Sequence, residues 1–82
     1  MTLTIKLFGP QATLAGEREV TIKTPQPSAT AGEVLRLLGQ VSPALGPSLD
    51  ASRLAINHEF AADTTVVRPS DEIALIGMVS GG

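Results

Sequence analysis

Asp71-Glu72-Ile73-Ala74-Leu75-Ile76-Gly77-Met78-Val79-Ser80-Gly81-Gly82 closes the sequence. From Glu72 to Val79 it reads as a strand that is apolar on both faces. Ile73, Leu75 and Val79 fall on one side, and Ala74, Ile76 and Met78 on the other. Such a strand belongs inside a sheet, flanked on both edges. At the other end of the chain, Thr2–Phe8 alternates with a period of two. Leu3, Ile5 and Leu7 point inward; Thr2, Thr4, Lys6 and Phe8 point outward. Gly9-Pro10 ends this strand, because proline cannot continue a ladder. Gln11–Gly16 reads as a loop or a loose turn of helix. Glu19–Thr24 alternates again, with Val20 and Ile22 inward, and forms an antiparallel hairpin with the first strand. Thr30-Ala31-Gly32-Glu33 fits a capping box, which starts a helix from about Ala31 to Gln40 or Val41. Val34, Leu35, Leu38 and Val41 make its apolar face, and Leu37 widens it. Ser42-Pro43 closes the helix. Ala44–Ser52 reads as a loop with room for one short helical turn. Arg53–Asn57 is a third strand, Asn57-His58-Glu59 a turn, and Phe60–Ala62 a brief return. Val66 and Val67 are expected to plug one end of the core. The order β–β–α–β–(β)–β is α+β: a mixed sheet of four to five strands with one main helix on one face.

The chain has 82 residues, so residues 1–82 are read as a single domain. Phe contributes two residues and Trp and Tyr none, so the core must be aliphatic. Six basic and eight acidic residues give a net charge of −2 with no run of like charge. That excludes a basic nucleic-acid arm. The longest apolar run, Ile73–Val79, is too short to cross a bilayer, and the first residues lack a signal-peptide block. No nucleic-acid or membrane partner is expected, and the cytoplasm is the expected location. With no Cys, a disulfide framework, a thiolate metal site and a cysteine nucleophile are all excluded. His58 stands alone in a turn without a triad partner and reads as a solvated turn residue. The carboxylates are scattered over loops and strand ends, and Gly9, Gly16 and Gly32 are isolated. No active site of the usual kind, no metal site and no bound cofactor are expected.

Gly81-Gly82 is the remaining signal. At a glycine background near 7%, a terminal pair arises by chance in roughly one chain in two hundred. Here the pair follows a central strand, so residues 80–82 read as a narrow, flexible tail. Glycine lacks Cβ and can thread a channel that rejects side chains. The α-carboxylate of Gly82, with an ordinary pKa of about 3.3–3.7, is ionised at neutral pH. It can attack the α-phosphate of ATP to give an acyl-adenylate. From Gly77 to Gly82 the extended reach is on the order of 20 Å. The tail can therefore enter a partner's site while the folded body stays outside.

This arrangement resembles the ubiquitin-like β-grasp proteins and, within them, the sulfur-carrier (small) subunits of molybdopterin synthase. The resemblance covers the whole chain. It rests on Leu7-Phe8 followed by Leu14-Ala15-Gly16, on Ala55-Ile56-Asn57, on Asp71-Glu72-Ile73, and above all on Val79-Ser80-Gly81-Gly82. Ala12-Thr13 and Ile76-Gly77-Met78 depart from the family pattern. The resemblance implies that a ubiquitin-activating-like adenylyltransferase consumes ATP to adenylate Gly82. A persulfide sulfur donor then converts Gly82 to a thiocarboxylate. Val79, Ser80 and Gly81 carry it into the large catalytic subunit of molybdopterin synthase, in an expected heterotetramer. There the sulfur passes to cyclic pyranopterin monophosphate.

Phe8 lies opposite the inward residues of the first strand, and Ile76 and Met78 share one side of the last. With the other sides against the helix, these residues form an exposed apolar patch, the usual mark of a partner site. Phe60 matches a family position on the same patch. Phe8, Phe60, Ile76 and Met78 are therefore the expected partner-binding residues. Three other readings stay open: a thiamine-pathway sulfur carrier, a protein modifier joined through Gly82 to target lysines, and a plain β-grasp binding module with incidental glycines.

Overall fold

Thr2–Leu7 forms strand β1 of the computed structural model, which describes residues 1–77. Its Leu3, Ile5 and Leu7 are buried and its Thr2, Thr4 and Lys6 exposed, as alternation requires. Gly9–Ala15 is a full helix, α1, where the sequence reads as a loop or loose turn. Pro10 suits its first turn, where the missing N–H costs nothing. Gly16 closes it at φ 70°, in the left-handed region, and its N–H donates to the carbonyls of Ala12 and Thr13. Strand β2, Glu19–Lys23, then pairs antiparallel with β1, matching Leu3 to Ile22 and Ile5 to Val20.

Ala29–Thr30 is a short strand, β3, that runs directly into helix α2, Ala31–Val41. The capping box is complete. The Glu33 amide donates to Thr30 Oγ1 at 3.3 Å, and the Thr30 amide donates to Glu33 Oε1 at 3.1 Å. Ala31, Val34 and Leu38 are buried. Val41 is not: at the last turn of α2 it is 52% exposed. Leu45, from the 3-10 turn Pro43–Leu45, fills that end of the core and is fully buried. A single-turn helix α3, Gly46–Leu49, follows, so the expected loop is mostly helical turns.

Strand β4, Ser52–Ile56, and strand β5, Glu59–Phe60, form a hairpin. Strand β6, Val66–Val67, pairs with β3 in a separate two-stranded ribbon. Val67 is buried there, whereas Val66 is 45% exposed, so only one of the two valines plugs the core. A strand turns successive side chains to opposite faces, so both could not.

Strand β7, Ile73–Gly77, runs parallel to β1, with Ile5 beside Ile73 and Leu7 beside Leu75. On its other edge it runs antiparallel to β4, with Leu54 beside Leu75 and Ile56 beside Ile73. The five-stranded sheet has the order β2-β1-β7-β4-β5, which places β7 at its centre. The sheet's inner residues and Val34 and Leu38 of α2 form one aliphatic core. Each fully buried Leu or Ile in it contributes about 1.5–3 kcal/mol. This is the mixed sheet with a covering helix of the ubiquitin-like β-grasp fold. No helix among the described residues is long and apolar enough to cross a membrane.

Candidate docking face and tail root

The outer face of the sheet carries one continuous row across four strands. Lys6 pairs with Ala74, Ala74 with Ala55, and Ala55 with Phe60. The two alanines make a low floor. Phe60 at one end, and Phe8 just beyond β1, stand above it, each 54% exposed. Ile76, half-buried, lies one step along β7 from the row. Together they line an open groove of about 560 Å³. The structure thus brings the expected residues Phe8, Phe60 and Ile76 to one face. Arg53, paired with Ile76, lays its guanidinium 5.5 Å from the centre of the Phe60 ring. That contact orients the ring by a cation–π interaction.

The groove has a charged rim at Glu72. Lys6 Nζ is 3.6 Å from one carboxylate oxygen of Glu72, and His58 Nε2 is 2.9 Å from the other. His58 is held there by its turn. Asn57 and His58 have φ of 52° and 70°, the left-handed pair that a tight hairpin of the I′ type requires. Asn57 ties this turn to the start of β7. Its Nδ2 donates to Asp71 Oδ1 at 3.0 Å, and its Oδ1 accepts from the Glu72 amide at 2.9 Å. The other Asp71 oxygen accepts from the Arg68 amide at 2.8 Å. This bond, with the one from Asn57, holds the Asp71 carboxyl below its ordinary pKa. His58 remains 84% exposed at its side chain, a solvated turn residue with a carboxylate neighbour. Among the described residues, no group of three His, Cys, Asp or Glu could hold a metal ion.

At the end of β7 a buried polar pair meets the sheet. Gln11 of α1 and Ser52 of β4 are both buried. Gln11 Nε2 donates to Ser52 Oγ at 3.3 Å, and Ser52 Oγ donates to the Ser48 carbonyl at 2.7 Å. Gly77 faces Ser52 across the ladder. A Cβ on Gly77 would overlap the Gln11 amide nitrogen and lie 3.0 Å from its Cδ and Oε1. The expected tail residues Val79, Ser80, Gly81 and Gly82, and the expected docking residue Met78, lie outside the described residues.

Several residues at this face and root escape a reading of the sequence. Ala55 and Ala74 look like ordinary small strand residues until the register lines them up. Lys6, Arg53 and Glu72 look like surface charges. Gln11 offers a signal only in retrospect, as a polar residue on the inward side of a short helix.

The ThiS family model matches residues 5–82 of the chain. The molybdopterin synthase sulfur carrier subunit of Dictyostelium discoideum is 32% identical over 80 residues, covering 95% of this chain and 93% of that protein. The crystal structure of small archaeal modifier protein 1 from Haloferax volcanii superposes with a TM-score of 0.82 at 30% identity. It covers 95% of this chain and 98% of that one. A Helicobacter pylori chain from the complex of subunits 1 and 2 of molybdopterin-converting factor gives a TM-score of 0.66 at 26% identity, covering both chains fully. A match that begins within β1 and runs through the central strand to the final glycine takes in every later helix and strand described above, and the chain belongs to the ThiS family.

Proposed function

We propose that this chain is the sulfur-carrier small subunit of a molybdopterin synthase. The observation that carries the reading is the near full-length likeness to the Dictyostelium discoideum sulfur carrier subunit. The geometry agrees with it. The central strand β7 leads in sequence straight to Val79-Ser80-Gly81-Gly82, and the sheet's outer face presents an apolar groove beside that strand. In this reading Phe8, Phe60, Ile76 and Met78 dock on the large catalytic subunit, and Val79, Ser80 and Gly81 thread its channel.

The chemistry resides at Gly82. Its carboxylate oxygen attacks the α-phosphorus of ATP on an adenylyltransferase, and pyrophosphate leaves. A persulfide sulfur attacks the acyl-adenylate carbonyl, and AMP leaves with the bonding pair. A thiol then cleaves the resulting acyl disulfide, releasing the Gly82 thiocarboxylate and a disulfide. In the large subunit the thiocarboxylate sulfur bonds to cyclic pyranopterin monophosphate, and water then cleaves the Gly82 acyl–sulfur bond, so the sulfur stays on the pterin and the Gly82 carboxylate is restored. This chain holds no cofactor in the process; ATP is consumed by the activating partner.

A second reading is favoured by the likeness to the small archaeal modifier protein. There the adenylated Gly82 is joined to a lysine of a target protein. Both readings share activation and part at the final nucleophile.

Intact mass after incubation with ATP, an activating enzyme and a persulfide donor tests the first reading. A gain equal to one oxygen exchanged for sulfur, mapped to Gly82, supports it. An unchanged mass, with the same partners active on another carrier, overturns it. A Gly82–lysine isopeptide on target proteins, without the exchange, selects the second.

A further inference from the structure

We propose that Gln11 is a positioning residue for the carboxyl-terminal segment: its buried amide is the seat on which Gly77, the root of that segment, rests. The proposal rests on the reading of Gly82 as the reacting terminus.

On the inner face of the sheet, position 77 follows Ile73 and Leu75 in the alternation, so a side chain there would enter the core layer. Gly77 supplies none. The space is taken by the Gln11 amide, which reaches it from the first turn of α1. The amide is not a loose end. Gln11 is only 7% exposed, its amide is tied to Ser52 Oγ, and Ser52 is tied in turn to the Ser48 carbonyl. Gln11 and Ser52 are the buried polar side chains of the described core, and both sit at this one place. A buried amide carries a desolvation cost that hydrogen bonds must offset. An aliphatic residue would close this corner of the core without that cost.

The position explains the arrangement. Pairing of β7 with β1 ends at Leu7 and Leu75, because the chain turns away after Leu7 to start α1. Gly77 is held by β4 on one edge alone. Glycine in a strand weakens it and marks a close approach. Here the approaching group is the Gln11 amide, and it replaces the lost restraint at the last residue before the segment 78–82. A seat fixed by α1, β4 and α3 sets the course on which Gly82 reaches a partner's reacting atoms. Misplacement by about 1 Å at such an end can cost on the order of 100-fold in rate.

The test compares Q11A, G77A and the double variant Q11A/G77A in the full chain. The readouts are thermal midpoint, amide hydrogen exchange at position 77, and kcat and KM for adenylation by the activating enzyme. Each single variant is expected to speed that exchange. Each should lower kcat on the order of tenfold with little change in KM, since Gln11 is buried and Gly77 presents no side chain to a partner. In the double variant the new methyl enters the vacated space, and exchange and kcat return most of the way. Should Q11A fail to fold, Q11V, which is shorter than glutamine and lacks its amide, leaves the same space open to the position-77 methyl and carries the same comparison. Additive losses in the double variant, or wild-type exchange and kcat in Q11A, overturn the seat while leaving the sulfur-carrier reading intact. A wild-type chain that no activating enzyme adenylates overturns both.

Discussion

Asn57 and Glu72 hold each other twice. The Asn57 amide donates to the Glu72 carbonyl at 2.8 Å, and the Glu72 amide donates to Asn57 Oδ1 at 2.9 Å. One bond continues the ladder; the other uses the side-chain oxygen of Asn57. The pair locks the β4–β5 turn to the start of the central strand, and with it the rim of the outer-face groove.

Asn57→Gly and Asn57→Ala separate the two roles of this residue. Glycine keeps the left-handed φ of 52° and loses the side-chain bonds; alanine loses both. Asn57→Gly is expected to cost about 1 kcal/mol, typical of lost hydrogen bonds. Asn57→Ala should cost about 1–3 kcal/mol more, the strain of a non-glycine residue held in that region. Urea denaturation at neutral pH measures both. Equal losses would show that backbone conformation contributes nothing at this turn.

Acid should weaken the fold through Glu33 and Asp71. The Thr30 backbone amide and hydroxyl hold the Glu33 carboxyl below its ordinary 4.5, and the Arg68 amide and Asn57 side chain hold Asp71 below its ordinary 3.8. A carboxyl with a lowered folded-state pKa binds its proton later in the folded protein than in the unfolded chain. Its contribution is complete above the ordinary value and lost as pH falls through the lower, folded one. Unfolding free energy should therefore stay level from neutral pH down to about 4.5 and fall below it. E33Q and D71N should each be less stable at pH 7 and show a shallower acid decline. A variant with an unchanged acid limb would remove that carboxyl from the account.

What the sequence made legible is what short-range rules control. The alternation of Thr2–Leu7 and the Thr30–Glu33 box depend on neighbours a few residues away, and both stand in the structure. The central place of β7 followed from its two apolar faces. The ribbon of β3 with β6 has two residues on each side, and only the tertiary fold selects that pairing. Val41 had the right spacing for the core but fell at the helix end, where Leu45 from the next turn took the space. On the sheet's outer face, parity alone places Phe8 and Ile76 outward. The row Lys6–Ala74–Ala55–Phe60 needed the register of three strand pairs, one of them between segments at opposite ends of the chain. Gln11 was hidden because periodicity reads a polar residue as a surface one.

Alanine at Phe8 or Phe60 should separate binding from folding. Both rings are more than half exposed, so Phe8→Ala should move stability by no more than about 0.5 kcal/mol, and Phe60→Ala, which also gives up the Arg53 contact, by about 0.5–1 kcal/mol. Aromatic anchors of an interface are worth far more to the partner. Binding to the large subunit is expected to weaken about 10- to 100-fold for each. Titration calorimetry of the carrier with the large subunit, beside thermal melts, measures both quantities. Wild-type affinity in the two variants would move the docking surface off this groove.

Removal of Gly82 should abolish activation and leave the fold untouched. The core and the five-stranded sheet described for residues 1–77 stay whole in the shortened chain, and Gly82 has no side chain to bury, so the thermal midpoint should stay within error of wild type. The shortened chain still ends in a glycine carboxylate, that of Gly81, with the same charge and the same freedom from a side chain. Its reach, however, is less by about 3.3–3.6 Å. A carboxylate held that far from the α-phosphorus of ATP loses the alignment that makes the attack effectively intramolecular, and adenylation should drop by at least on the order of 100-fold. Pyrophosphate exchange with the activating enzyme reads this directly. Chemistry is thereby separated from charge, because a free carboxylate remains in both proteins. If the shortened chain were adenylated at the wild-type rate, the length from Gly77 to the reacting carboxyl would be irrelevant. Neither the sulfur-carrier nor the modifier reading, both of which need Gly82 itself at the reacting atoms, would then survive.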